Sequence, residues 1–150
     1  AITVGIGELS NRNERLLRYA KQTLMEGIKV VKAGIAIKEI ARAMELFAGF
    51  RGYVINHTFG GHGISKEMHE DPFISHVTWP EEDKMNKMGD YVLKAGQMIC
   101  LEPILTYTDK FGYPELNGWT WRTRDNKNSA IFEHQILVEE NGCKILTTHL

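Results

Sequence analysis

Four polar residues stand where apolar or small neighbours surround them, and their types could support hydrolytic chemistry. His62 lies between two glycines in GGHGISKEMHEDP, residues 60–72, and His69 follows seven positions later. Glu102 lies in the apolar run ICLEPIL and Glu133 in AIFEHQIL. Burying a carboxylate in such a run is costly unless it is paired, protonated or bound to a metal. The flanking glycines indicate backbone near His62 that approaches a neighbour closely or takes a positive φ.

Each of these residues also has a structural interpretation. Strand alternation places Glu102 on the strand face opposite to that of Ile99 and Leu101. That face could equally be exposed to solvent or belong to a site, and the same two interpretations apply to Glu133. Each histidine alone fits a structural side chain. HExxH, calcium-loop, phosphate-loop and G-x-S-x-G motifs do not occur, and GIGELS lacks the third glycine of a dinucleotide fingerprint. As ligands, one His and two Glu suit Mn, Fe(II), Co or Zn, although three ligands are too few for two metals.

The segments that must position these residues begin with helices. Apolar residues at helical spacing predict helices over roughly 11–32 and 36–49, the first capped by Ser10 or Asn11. A strand pattern over 2–7 precedes them.

Strand patterns dominate the rest of the chain. QMICLEPIL at 97–105 and SAIFEHQILVEENGCKIL at 129–146 predict strands, the second with a hairpin turn at 140–142. A strand is also predicted after a turn at Gly52, whereas the charged segment at 79–90 predicts a solvated loop. Two helices followed by antiparallel strands indicate an α+β fold in a single domain over 1–150.

The composition is that of a soluble globular protein. Hydrophobic residues make up 43% of the 150 and charged residues 25%. The net charge of -1 argues against bulk attraction to nucleic acid or an anionic membrane, and no apolar run approaches the roughly 18 to 20 residues of a membrane span. Cys100 and Cys143 both lie in apolar runs, which favours free thiols in a reducing cytoplasm over a disulfide.

Taken in order, the motifs resemble type I methionine aminopeptidase. GHGI and MHEDP come first, LEP follows AGQM, and WTWRTRDNKNSAIFEHQILV is closed by NGCKILT. VKAGIAIKEIARAM also resembles that family's helix-glycine-helix segment. Prolidases and aminopeptidase P share the fold and some motifs, but FEH at 132–134 and Trp119 favour methionine aminopeptidase. The resemblance implies the later half of a pita-bread fold, with two helices packed on a mainly antiparallel curved sheet.

The resemblance also implies roles for the polar residues. His62 would be the single histidine metal ligand, Glu102 a ligand that also acts as general acid or base, and Glu133 a carboxylate bridging two metals. His69 would contact the scissile amide and steady the tetrahedral intermediate. The implied activity is hydrolysis that removes N-terminal methionine from nascent proteins and peptides, with two divalent ions (Co, Mn, Fe or Zn) as cofactors.

The methionine side-chain pocket would be lined by Trp119 and Met68. The position of Met68 is usually aromatic in this family, so this wall of the pocket would be more flexible here. Because Met is apolar and adaptable, we expect the preference for methionine to survive.

Two metal-ligating aspartates of the family precede the histidine, whereas the first aspartate of this chain is Asp71. A strand pattern is also already under way at residue 2. We therefore expect a truncated C-terminal segment of a methionine aminopeptidase catalytic domain, inactive alone. Its expected partners are a peptide N-terminus as substrate and the missing N-terminal half, but neither nucleic acid nor a membrane. The alternative is a non-enzymatic pita-bread binding module that has lost its metals, although His62, His69, Glu102 and Glu133 are all retained.

Overall fold

Two long helices form one layer of the fold. The structure, a computed structural model, describes residues 1–148. Helix α1 spans Asn11–Val30 and helix α2 spans Ile37–Phe50, close to the predicted bounds. Ser10 is the cap of α1, because its hydroxyl accepts a hydrogen bond from the Asn13 N–H at 3.3 Å. The apolar stripe of each helix is buried, so burial of these stripes holds the helical layer on the sheet.

Antiparallel strands form the second layer. The largest sheet has five strands in the order β10-β9-β4-β2-β3, a second has the order β1-β5-β8, and β6 pairs with β7. This arrangement confirms the predicted α+β class. In chain order the strands are β1 Val54–Ile55, β2 Gly61–Gly63, β3 Glu70–Ile74, β4 Met98–Leu101, β5 Ile104–Thr106, β6 Tyr113–Pro114, β7 Trp121–Arg122, β8 Ala130–Ile131, β9 His134–Glu139 and β10 Gly142–Ile145.

The hydrophobic core lies between the helices and one face of the five-stranded sheet. Ile99 and Leu101 of β4 and Ile136 and Val138 of β9 belong to this core and are fully buried. Since side chains alternate along a strand, residues 98, 100 and 102 and residues 133 and 135 point to the opposite face. The core packing therefore decides which polar residues meet on that other face.

Two local predictions were wrong. Residues 2–7 do not form a strand. Beside β8, the Ala1 amine and carbonyl bond to the side chain and N–H of Glu133, and the Thr3 hydroxyl bonds to the backbone of Ile131. The apolar side chains of this segment stay largely exposed, so alternation alone did not produce pairing. The charged segment contains a short helix, α3, Lys84–Gly89, which begins because the Asp83 side chain accepts from the Met85 N–H at 2.9 Å.

The cysteine and hairpin predictions were confirmed. Cys100 and Cys143 are free thiols. Strands β9 and β10 pair with Gly142 opposite Glu139, so Glu140 and Asn141 form the two-residue turn. No helix within residues 1–148 combines the length and apolar character needed to cross a membrane.

Asp109 anchors the loop that carries Trp119. Its carboxylate accepts from the N–H groups of Arg124 at 2.6 Å, Phe111 at 3.1 Å and Gly112 at 3.1 Å. These bonds, led by that from Arg124, lower the pKa of Asp109 below its ordinary 3.8. The Asp109 side chain therefore stabilises this loop, because the two-stranded β6–β7 ribbon alone would be only marginally stable.

We expect Asp109→Ala to lower the free energy of unfolding by about 2–4 kcal/mol, because three N–H groups lose a charged acceptor. A depressed carboxyl pKa stabilises the fold above the unfolded pKa, so this contribution should disappear as the pH falls below about 3.8. Urea unfolding at pH 7 and pH 3 measures both effects. Asp90→Ala, which removes an exposed ion pair with Lys38, is the control and should cost much less, because solvent screens exposed pairs. An Asp109→Ala loss no larger than that of the control would contradict the anchoring role.

Candidate active site

The strand register brings the three predicted ligands to one end of the five-stranded sheet. His62 of β2 lies opposite Cys100 of β4, so both share a face with Glu102, two residues further on. On the other side of β4, Leu101 pairs with His134. The next residues along these antiparallel strands are Glu102 and Glu133. One cross-strand ladder thus places an imidazole and two carboxylates together.

His62 and Glu102 face each other directly. The His62 Nε2 atom lies 3.4 Å from Glu102 Oε1, and both side chains are partly buried. The His62 Nδ1–H donates to the Gly63 carbonyl at 2.9 Å, which leaves Nε2 as the lone-pair nitrogen of the neutral ring. A lone pair facing a carboxylate favours a shared proton or a shared cation. This orientation, with the far nitrogen bonded to a backbone carbonyl, is typical of metal-ligating histidines.

Glu133 completes the acidic side of the cluster. Its Oε2 lies 3.1 Å from the Ala1 amine, and its charge acts on the Cys100 thiol. Burial, followed by the charge of Glu133, raises the pKa of Cys100 to about 12, so this thiol keeps its proton. Burial also raises the pKa of Glu102, with the Glu133 charge adding to it and His62 opposing it. A further positive group near Glu102 and Glu133 would reduce the repulsion between these two carboxylates.

His69 lies beside the cluster. Its ring centre is 4.3 Å from that of His62, and the residue is exposed. Both histidines line an open cleft of about 550 Å³ formed by residues 58–62, 69–71 and 73. Met68 and Trp119, the predicted pocket residues, are 71% and 88% exposed and do not line this cleft. The structure therefore brings the ligand candidates and His69 together, whereas Met68 and Trp119 do not join them in this cleft.

Glycines permit the close approach of the strands at His62. A Cβ on Gly61 would lie 2.0 Å from the Cys100 carbonyl oxygen, and one on Gly63 would lie 2.3 Å from that of Asp71. The pairing of β2 with β3 also shifts register between His62 and Gly63, a bulge of the kind that re-aims side chains near functional sites. This explains the glycine-rich sequence around His62.

Sequence reasoning missed His76, which supports the site through a hydrogen bond to the backbone of Glu102. Its side chain is fully buried, and its Nε2 accepts a hydrogen bond from the Glu102 backbone N–H at 3.2 Å. Burial, aided by the charge of His62, lowers the pKa of His76 to about 3, so the ring is neutral. The available signal was a histidine within the apolar run PFISHVTW. Its importance depends on a contact with a residue 26 positions later, which a local pattern does not reveal.

The donor set meets only part of the requirements of a metal ion. His62 and Glu102 converge as a pair, and nitrogen and oxygen ligands suit hard divalent cations. Across residues 1–148, however, no three His, Cys, Asp or Glu side chains are arranged to hold a metal. The described residues alone therefore do not make a complete metal site.

Comparison with known proteins assigns the chain to a family. The family model of metallopeptidase family M24 matches residues 1–140, and the chain belongs to that family. The chain is similar to the methionine aminopeptidase of Salmonella typhimurium, with 37% identity over 142 residues. That match covers 95% of this chain and 51% of the relative. The chain thus spans about half the length of the curated relatives it matches.

Solved structures agree with this assignment. Methionine aminopeptidase from Rickettsia prowazekii superposes with a TM-score of 0.84 at 30% identity, covering 94% of this chain and 54% of that one. The Thermotoga maritima enzyme gives a TM-score of 0.84 at 32% identity, covering 95% and 54%. A prolidase from Pyrococcus furiosus shares the fold, with a TM-score of 0.72 at 23% identity over 99% of this chain and 36% of the other. The predicted pita-bread fold and the resemblance to methionine aminopeptidase are confirmed.

Proposed function

We propose that this chain supplies part of the catalytic site of a methionine aminopeptidase that removes N-terminal methionine from proteins and peptides. The observation that carries the proposal is the convergence of His62, Glu102 and Glu133 on one face of the sheet, with His69 alongside. The similar enzymes of Salmonella and Thermotoga are named for this activity. Membership of a metallopeptidase family supports a metal requirement.

In this proposal the residues have separate tasks. His62, Glu102 and Glu133 are ligands for divalent metal in the intact enzyme, together with donors that residues 1–148 do not provide. His69, exposed at the cleft beside His62, contacts the scissile amide. Trp119 and Met68 line the methionine pocket once a further segment closes over their exposed side chains.

The chain by itself should be inactive, since its donor set is incomplete. We propose that it is the C-terminal segment of a catalytic domain and that its N-terminal half is its intramolecular partner. Phe59 lines the cleft and is partly exposed, and Met68 and Trp119 are also exposed, which supports a covering partner for these apolar side chains.

The first test is the coding sequence directly upstream of Ala1. An in-frame segment with two aspartates in a strand supports the proposal, whereas an initiation codon at that point contradicts the segment hypothesis. The second test measures release of methionine from the peptide Met-Ala-Ser with Mn²⁺ or Co²⁺. The 150-residue chain is expected to show none, and metal-dependent release by this chain would contradict its inactivity.

Variants of the full natural gene product separate the assigned roles. His62→Ala should lose both bound metal and activity, because it removes a ligand. His69→Ala should keep the metal, measured by elemental analysis, while kcat falls by about 100-fold or more. Lys66→Ala, exposed between the two histidines, is the matched control and should change neither. Full activity of His62→Ala, or a full-length protein without metal or activity, would favour a binding module instead.

A further inference from the structure

A second cleft is lined by arginines and tyrosines, and none of its residues belongs to the candidate active site. We propose that this arginine–tyrosine cleft binds a single phosphate group carried by a small molecule. The cleft has a volume of about 360 Å³ and lies where the start of α1, the turn after α2 and the end of β5 meet. Its principal residues are Arg12, Arg15, Tyr19, Arg51, Tyr53 and Tyr107.

Stacking on tyrosine rings holds two of the arginines in place. The Arg12 guanidinium carbon lies 4.0 Å from the centre of the Tyr107 ring, and the Tyr107 hydroxyl donates to the Arg12 carbonyl at 3.2 Å. The Arg51 guanidinium carbon lies 5.2 Å from the centre of the Tyr19 ring. A stacked guanidinium keeps the N–H groups at its edge available for an anion. Such preorganisation reduces the entropy lost when a ligand binds.

The tyrosines form a continuous row beneath these charges. Ring centres are 5.8 Å apart for Tyr19 and Tyr53 and 5.3 Å apart for Tyr53 and Tyr107. Burial raises the pKa of Tyr53, with Tyr107 adding to the shift and Arg15 opposing it. The phenol of Tyr53 therefore stays protonated at neutral pH and remains a hydrogen-bond donor.

Within residues 1–148, no carboxylate pairs with the arginines of the cleft. No carboxylate oxygen within the described part of the chain lies within 4.0 Å of Arg12, Arg15 or Arg51. By contrast, Arg122 pairs with Glu115 and Lys127 with Asp125. Arg12 and Arg15 also lie in the first turns of α1, where the helix dipole disfavours positive charge. A bound anion would relieve both sources of repulsion.

The geometry favours a phosphate group on a small molecule over a nucleic acid. Three guanidinium groups and a phenol offer many donors, which matches the several acceptor oxygens of a phosphate. The tyrosine faces are taken up by the arginines and by one another, so bases have no free ring on which to stack. The net charge of -1 also gives no extended attraction for a polyanion.

The experiment is an NMR titration of the full ¹⁵N-labelled chain with inorganic phosphate at constant ionic strength. Saturable shifts are expected for the Arg12, Arg15 and Arg51 side-chain N–H signals and for the Tyr53 amide. Arg51→Ala should weaken binding by about tenfold or more, since it removes a charge-assisted contact. Arg42→Ala, an exposed arginine of α2 outside the cleft, should change the affinity less than about twofold. Adenosine monophosphate should shift the same signals.

Several outcomes would overturn the proposal. The first is an equal loss of phosphate affinity in Arg51→Ala and Arg42→Ala. The second is that chloride at the same ionic strength reproduces the shifts. The third is that a single-stranded RNA 12-mer binds and is not displaced by phosphate. If Arg51→Ala does not fold, Arg15→Lys retains the charge but loses the guanidinium fork, and its affinity should still fall several-fold. Neither metal nor peptide is needed, so this result is independent of the proposed aminopeptidase function.

Discussion

Gly61→Ala is expected to destabilise the fold by about 4 kcal/mol, a large part of the stability of a small domain. The new Cβ would lie 2.0 Å from the Cys100 carbonyl oxygen and 3.1 Å from His76 Nε2. Both neighbours are buried, and the first is backbone, so neither can move aside cheaply. Relief requires β2 and β4 to separate, which would also pull His62 away from Glu102. Urea unfolding gives the stability change, and the His62 ring signals report the displacement.

Gly49→Ala provides the matched control for this substitution. Gly49 lies in α2, and a Cβ there would meet no atom within 4 Å. Alanine has the higher helix propensity, so this variant should be stabilised by about 0.5–1 kcal/mol. Opposite signs for the two substitutions are therefore expected. A loss of less than about 1 kcal/mol in Gly61→Ala would show that the strands at His62 are not as closely packed as the structure has them.

The elements that depend on local patterns were predictable from the sequence. Both long helices follow from their apolar stripes, and the hairpin between β9 and β10 follows from its turn residues. The strand predicted at residues 2–7 failed, because alternation states which side chains could share a face but not whether a neighbouring strand exists. The helix α3 was missed because six residues give too short a periodic signal, although its cap Asp83 was visible.

The candidate site was predictable only in part, for the same reason. Alternation left Glu102 and Glu133 ambiguous between solvent and site, and the resemblance alone gave them roles. The structure resolves their placement through register: Leu101 opposite His134 makes the two glutamates neighbours, and His62 opposite Cys100 puts the imidazole on their face. Register is a long-range property, set by which faces the helices bury. His76 was missed because its contact with Glu102 likewise joins residues that are distant in the sequence.

The buried His76 should make the fold sensitive to mild acid. Its pKa is about 3 in the folded chain, against an ordinary value of 6.5. A histidine with a lowered pKa binds fewer protons when folded than when unfolded, so stability is lost as the pH falls from 6.5 toward 3. Between pH 7 and pH 4.5 this group alone should cost roughly 2–3 kcal/mol. The cause is that protonation would bury a charge and remove the acceptor for the Glu102 N–H.

His76→Gln tests this explanation, because glutamine offers an acceptor oxygen near the Nε2 position but does not titrate. The variant should lose about 1–2 kcal/mol at pH 7 and should be less sensitive than the parent between pH 6.5 and 4.5. Other titrating groups, including Glu102 with its raised pKa, remain in both proteins, so the difference between the two pH profiles isolates His76. Urea midpoints across this pH range, with the ¹⁵N shift of the Glu102 amide as a local reporter, provide the measurement.

Identical pH profiles for the parent and His76→Gln would refute the link between this buried ring and acid stability. A flatter profile for the variant, together with a displaced Glu102 signal, would show that the neutral His76 imidazole holds the backbone at Glu102 in place.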